Sequence, residues 1–150
     1  IGSMMAQEKR YAANYIAVKD LSELYDSNGI CTYVLKGLSI SQLYPVPSHR
    51  FSCDSDCFLL NKSDGCNAYE SGNSLVASAG CKVDADYYKH SVFWYKGLAV
   101  ENHRCCCSVK RSKRTRDLER YLEGMLNGIH RSILMTLSLP CLLKCFRLCS

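Results

Sequence analysis

The sequence predicts a mainly β domain: a roughly five-stranded Greek-key barrel of the OB type with a C-terminal helical extension. Three observations lead there. Between residues 30 and 101, short β-forming runs alternate with tight turn signals, and helical periodicity is poor. The first of these runs contains Gly37, and a glycine inside a strand supplies the bend that a small barrel needs. After His103 the composition changes to a cysteine run, a basic run and one amphipathic helix.

Taken in order, residues 6–13 read as weakly helical or as a flexible lead-in. Asn14-Tyr15-Ile16-Ala17-Val18 is a short apolar segment, and Lys19 to Leu24 suits one helical turn. Asp26-Ser27-Asn28-Gly29 is a turn signal, because Asn and Gly accept the backbone angles that turns require. The expected strands are 30–40, 51–61, 66–69, a fourth at 82–84 or within 75–80, and 90–101. Pro45 and Pro47 force a loop between the first two, and Lys62-Ser63-Asp64-Gly65 is a hairpin turn. A helix is expected over 115–130, capped by Thr115 and closed by Gly128, with Leu118, Tyr121, Leu122, Met125 and Leu126 at helical spacing. Ile133 to Leu148 is apolar and interrupted by Pro140.

A chain of 150 residues can bury one real core. Its 47% apolar and 22% charged residues are those of a folded protein. The formal charge of +5 is concentrated in 104–120, where Arg104, Lys110, Arg111, Lys113, Arg114, Arg116 and Arg120 face only Asp117 and Glu119. Such a run favours polyanionic partners, and Lys110 to Arg116 is also a nuclear-localisation-like cluster. Eleven cysteines without a signal-peptide core point to a reducing compartment and free thiols. No run reaches the roughly 18 apolar residues of a membrane span. Ile1-Gly2-Ser3 resembles a vector scar, with Met4 or Met5 as the natural start. The expected organisation is a scar and lead-in over 1–12, the barrel over 13–108, and a basic segment with C-terminal helices over 109–150.

Residues 86–100 crowd Tyr87, Tyr88, Phe93, Trp94 and Tyr95 with Lys89, His90 and Lys96. Aromatic faces beside cations are the chemistry of a surface that stacks bases and neutralises phosphates. Two other chemistries are open to these residue types. His49, Cys53, Cys57 and Cys66, or His103 with Cys105, offer zinc ligands, but the spacing is not that of a zinc knuckle, so no metal is expected. Cys57 with His90, or His90 with Cys141, could be a thiol nucleophile and base, but no orienting Asn or Asp is marked by a motif. Cys141, Cys145 and Cys149 would share one helical face, suited to docking a partner.

Several segments resemble the first OB fold of the protection-of-telomeres family. Ala13-Asn14-Tyr15-Ile16 with Leu21-Ser22-Glu23-Leu24 is similar to that family's opening segment, and Tyr33 to Leu38 to its first curved strand. Cys57 to Asp64 is similar to its second strand and turn, Tyr69-Glu70-Ser71-Gly72-Asn73 to its base-stacking stretch, and Val92 to Leu98 to the strand lining its groove. The resemblance implies a nuclear, non-enzymatic binder of single-stranded, G-rich telomeric DNA that needs no cofactor. Tyr69 and Tyr95 would stack on bases beside Trp94, Lys36, Lys62 and Lys96 would meet phosphates, and Gln42, Asp54 and Ser55 would read base edges. The C-terminal helices would dock a protein partner. The alternatives are an OB-type protein-interaction module and, third, the thiol hydrolase.

Overall fold

The computed structural model describes residues 2–106 and 112–136. Helix α1 (Gly2–Ser27) leads into strand β1 (Ile30–Val34), the short helix α2 (Leu38–Ser41), a 3-10 turn at Pro47–His49 and strand β2 (Asp54–Asn61). Helix α3 (Tyr69–Ser78), the strands β3 (His90–Tyr95) and β4 (Leu98–His103), and helix α4 (Lys113–Thr136) follow.

The four strands form one open mixed sheet in the order β1-β2-β4-β3. β1 runs antiparallel to β2, β2 parallel to β4, and β4 antiparallel to β3. Because side chains alternate across a strand, the register divides the sheet into two faces. On one face Ile30, Val34, Cys57, Leu59, Phe93, Leu98 and Val100 pack with Ala17, Val18, Leu21 and Tyr25 of α1 and Val76 of α3. Each such fully buried Leu, Val or Phe contributes roughly 1.5–3 kcal/mol, so this layer is the main core. On the other face Cys31, Tyr33, Phe58 and Leu60 form a smaller cluster that receives Leu126 of α4.

The barrel expectation fails, and its failures are local. Residues 6–18 are helix: Asn14, Ala17, Val18, Leu21, Ser22 and Tyr25 are buried at three- and four-residue spacings, the stripe of an amphipathic helix. The expected strand 30–40 stops at Val34, because Gly37 (φ 67°) opens α2 instead of bending a strand. Residues 66–69 make only an isolated bridge, Leu60 with Asn67, before α3 begins. Leu75 to Ser78 lie in α3, and near 82–84 the chain makes one bridge, Asp84 with Val92. The expected strand 90–101 is a hairpin, reversed at Lys96 (φ 49°) and Gly97 (φ 82°), where both positive angles suit a type I′ turn. Helix α4 runs beyond both expected ends; Ser112 caps it, its Oγ accepting the Thr115 N–H at 3.1 Å, and Gly128 lies inside it. Cys141, Cys145, Cys149 and Lys110 lie outside the described residues, as does most of the apolar 133–148 run. Cys53, Cys57, Cys66, Cys81, Cys105 and Cys106 are outside any disulfide, whereas Cys31 is in one, against the expectation of thiols.

Candidate functional site

The sheet face opposite α1 and α3 carries charge where the other carries core. Asp54 and Asp56 stand two residues apart on β2, so both project to this face, while Ser55 and Cys57 between and beyond them project into the core. The parallel pairing of β2 with β4 sets Asp56 opposite Glu101, and the hairpin sets His90 opposite His103. Asp54, Asp56, Glu101, His90 and His103 thereby share one patch, drawn from three strands.

Asp56 is its centre. Although the residue is 0% exposed, its Oδ1 meets Lys36 Nζ at 2.6 Å and His103 Nε2 at 3.0 Å. Burial by itself would raise the carboxyl, but the hydrogen bonds from His103 and Lys36 outweigh it and hold Asp56 below the usual carboxylate range. The same bond holds the Lys36 ammonium above its ordinary value. The second oxygen, Asp56 Oδ2, is buried without a hydrogen-bond partner. Glu101 Oε2 lies 3.3 Å from His103 Nε2 and 3.4 Å from His90 Nδ1. Burial pushes the His90 imidazole below its ordinary value, against the opposing pull of Glu101.

The turn after β1 frames the site. Gly37 adopts φ 67°, and a Cβ there would stand 2.9 Å from Ser52 Oγ and 3.0 Å from the Asp54 carbonyl oxygen. The Gly37 carbonyl in turn accepts a hydrogen bond from Arg50 Nη1 at 2.9 Å. A residue without a side chain is therefore what lets this turn lie against the start of β2.

The nine residues expected to contact nucleic acid are scattered. Lys36, Asp54 and the 67% exposed Trp94 lie on the charged face. Tyr69 is 2% exposed, with Arg104 over its ring at 4.6 Å, so no base reaches it. Tyr95 points into the core face and donates to Asp20 Oδ2, which Lys96 Nζ also meets at 2.8 Å. Lys62 Nζ meets Asp26 Oδ1 at 2.6 Å, Gln42 Nε2 donates to Tyr11 Oη at 2.7 Å, and Ser55 is fully buried. The pair of Cys57 with His90 does not form, and Cys141 lies outside the described residues. Cys57 projects into the core and His90 to the other face, while His49 meets Glu8 at 3.1 Å. The residues that reading from sequence missed are Asp56 and Glu101, and His103 was singled out only with Cys105. The signal was Asp54-Ser55-Asp56 heading an apolar β-forming run, where two carboxylates on one side are costly without a purpose.

A family of uncharacterised nucleotidyltransferases matches residues 2–143, and the chain belongs to that family. No curated protein and no solved structure matches it. Membership replaces the resemblance to telomere-protection proteins and overturns single-stranded DNA binding as the function, together with the interaction-module alternative. It also points to an enzyme, against the expectation of a non-catalytic protein.

Proposed function

We propose that this chain transfers a nucleoside monophosphate from a nucleoside triphosphate to an acceptor oxygen, with Asp54, Asp56 and Glu101 as the carboxylates that hold divalent cations. The observation that carries the reading is the Asp-x-Asp pair on one face of β2 with Glu101 in register opposite Asp56, in a chain of this family. The residues fit such ions: Asp56 is held ionised, and its buried Oδ2 has no hydrogen-bond partner, which a cation would satisfy. When bound, divalent cations supply neutralisation of phosphate charge and a more acidic attacking hydroxyl.

The remaining work is positioning, as in phosphoryl transfer generally. The acceptor oxygen attacks the α-phosphorus, the bond from that phosphorus to the bridging oxygen breaks, and pyrophosphate leaves with the electron pair. Lys36, half-exposed beside Asp56, presents its ammonium to the phosphates, while His103 keeps the Asp56 carboxylate oriented. The Gly37 turn, tied by Arg50, holds the start of β2 and hence the direction of Asp54.

The test is release of labelled pyrophosphate from each of the four nucleoside triphosphates with Mg²⁺ or Mn²⁺ present. Asp54→Asn and Asp56→Asn should each lower the rate at least about a hundredfold, the scale of losing one electrostatic contact to the transition state. A wild-type chain inactive with all four triphosphates, or activity that survives both substitutions, would overturn the reading.

A further inference from the structure

We propose that His90 Nδ1, Glu101 Oε2 and His103 Nε2 form a binding site for one divalent transition-metal ion of the zinc type. This goes beyond nucleotidyl transfer, because it concerns an ion held by the protein alone, without nucleotide. The three ligand atoms all lie within 4.8 Å of one another, the one such group among the described residues. Glu101 Oε2 is 3.4 Å from His90 Nδ1 and 3.3 Å from His103 Nε2. A tetrahedral ion with bonds of about 2.0–2.2 Å keeps its ligands about 3.3–3.6 Å apart, so both separations already match its edges. Asp56 Oδ1, 3.0 Å from His103 Nε2, lies beside the group, and the fourth position is left to water.

Burial adds a second, independent argument. His103 is 2% exposed and Asp56 is fully buried, yet His103 Nδ1, His90 Nδ1 and Asp56 Oδ2 have no hydrogen-bond partner. Of these atoms His90 Nδ1 is itself a proposed ligand atom, and an unpaired polar atom in a buried cluster is costly unless something binds it. Binding the ion requires His103 to carry its proton on Nδ1 and to give up its hydrogen bond from Nε2 to Asp56, so that the Nε2 lone pair faces the cluster. Two imidazoles with one carboxylate suit zinc and its neighbours, whereas Mg²⁺ takes an oxygen shell, so the donor set selects the class of ion. The competing account is a purely ion-paired His103 between Asp56 and Glu101.

The full chain, stripped with chelator and free of nucleotide, is titrated with Co²⁺ and then with Zn²⁺ against a chromophoric chelator. One equivalent of Co²⁺ should bind with the visible absorption of a tetrahedral ion, without a thiolate band, and resist excess Mg²⁺. His90→Ala should weaken Zn²⁺ at least about tenfold while leaving the unfolding transition in place, and His103→Gln should act in the same direction. Unchanged affinity in His90→Ala, absence of a tetrahedral Co²⁺ spectrum, or loss of binding in a Cys53→Ser/Cys66→Ser/Cys105→Ser variant would overturn the site. Pyrophosphate release plays no part in this readout, so failure of the metal site and failure of nucleotidyl transfer are distinguishable although Glu101 belongs to both.

Discussion

Replacing Tyr25 by Phe tests what holds β4, and with it Glu101 and His103, in place. Asn102 lies between those two residues but projects to the core face, where its Nδ2 donates to Tyr25 Oη at 2.8 Å and to Asn73 Oδ1 at 3.0 Å. Ser91 Oγ donates to the same Asn73 oxygen at 2.7 Å, so α1, α3, β3 and β4 meet in one polar knot. Tyr25, Ser91 and Asn102 are all 0% exposed, and Asn102 Oδ1 is already without a partner. Removing the phenol oxygen deletes one buried hydrogen bond and strands one N–H, which together cost about 2 kcal/mol. With a urea dependence of about 2 kcal/mol per molar, the midpoint should fall by about 1 M. The thermal midpoint should fall by about 4–8 °C. Far-UV circular dichroism follows both transitions, and pyrophosphate release per folded molecule should stay at the wild-type value. In an Asn102→Ala background the same substitution should cost almost nothing more, since the partner is gone. An unchanged midpoint in Tyr25→Phe, or an equal cost in both backgrounds, would refute the account of the knot.

Gly37→Ala places a side chain at φ 67° against Ser52 Oγ and the Asp54 carbonyl, so it should destabilise by about 1–3 kcal/mol and slow pyrophosphate release. Thermal unfolding and activity on one preparation check this, and no change in either would uncouple the turn from the site. Asp20 is held below its ordinary 3.8, first by the hydrogen bond from Lys96 and then by that from Tyr95. Its folded value being the lower one, the stability it contributes is present above the unfolded value and disappears as pH falls through the folded one. Asp20→Asn should therefore flatten the acid limb below about pH 4, by less than about 1 kcal/mol because both charged groups are roughly half-exposed. Urea midpoints near neutrality and in acid measure it.

The fold was legible in its punctuation and hidden where packing overrides local pattern. Asn28-Gly29 turns as its residue types require, and an amphipathic spacing marks α4. Helix α1 was hidden because its buried stripe includes Asn14 and Ser22, whose polarity dilutes the apolar period. In α3 a glycine stands mid-helix, which lowers helix propensity by about 1 kcal/mol and reads as a turn. The glycine is there because a Cβ at Gly72 would run into Leu59 Cδ1, a constraint visible only once α3 lies on β2. The β3–β4 hairpin was hidden for a different reason. The β-forming run continues through Lys96-Gly97, so two antiparallel strands read as one long one.

That single misreading also concealed the site. As one continuous strand, residues 90–101 offer a row of aromatics and lysines; folded back at Gly97, the same residues put His90 opposite His103 and bring Glu101 beside Asp56. The functional neighbours lie about 45 residues apart in the chain and meet through a parallel pairing, which leaves no short-range pattern to find. Asp54-Ser55-Asp56 was different, because its meaning is local. A carboxylate entering a strand that continues as Cys57-Phe58-Leu59-Leu60 must lose water, and such burial needs compensating cations or hydrogen-bond donors. Lys36 and His103 supply part of that compensation, and the unpaired Asp56 Oδ2 shows that part of it is still owed. The acidic pair at the head of an apolar strand thus marks the candidate site more surely than the exposed aromatics did.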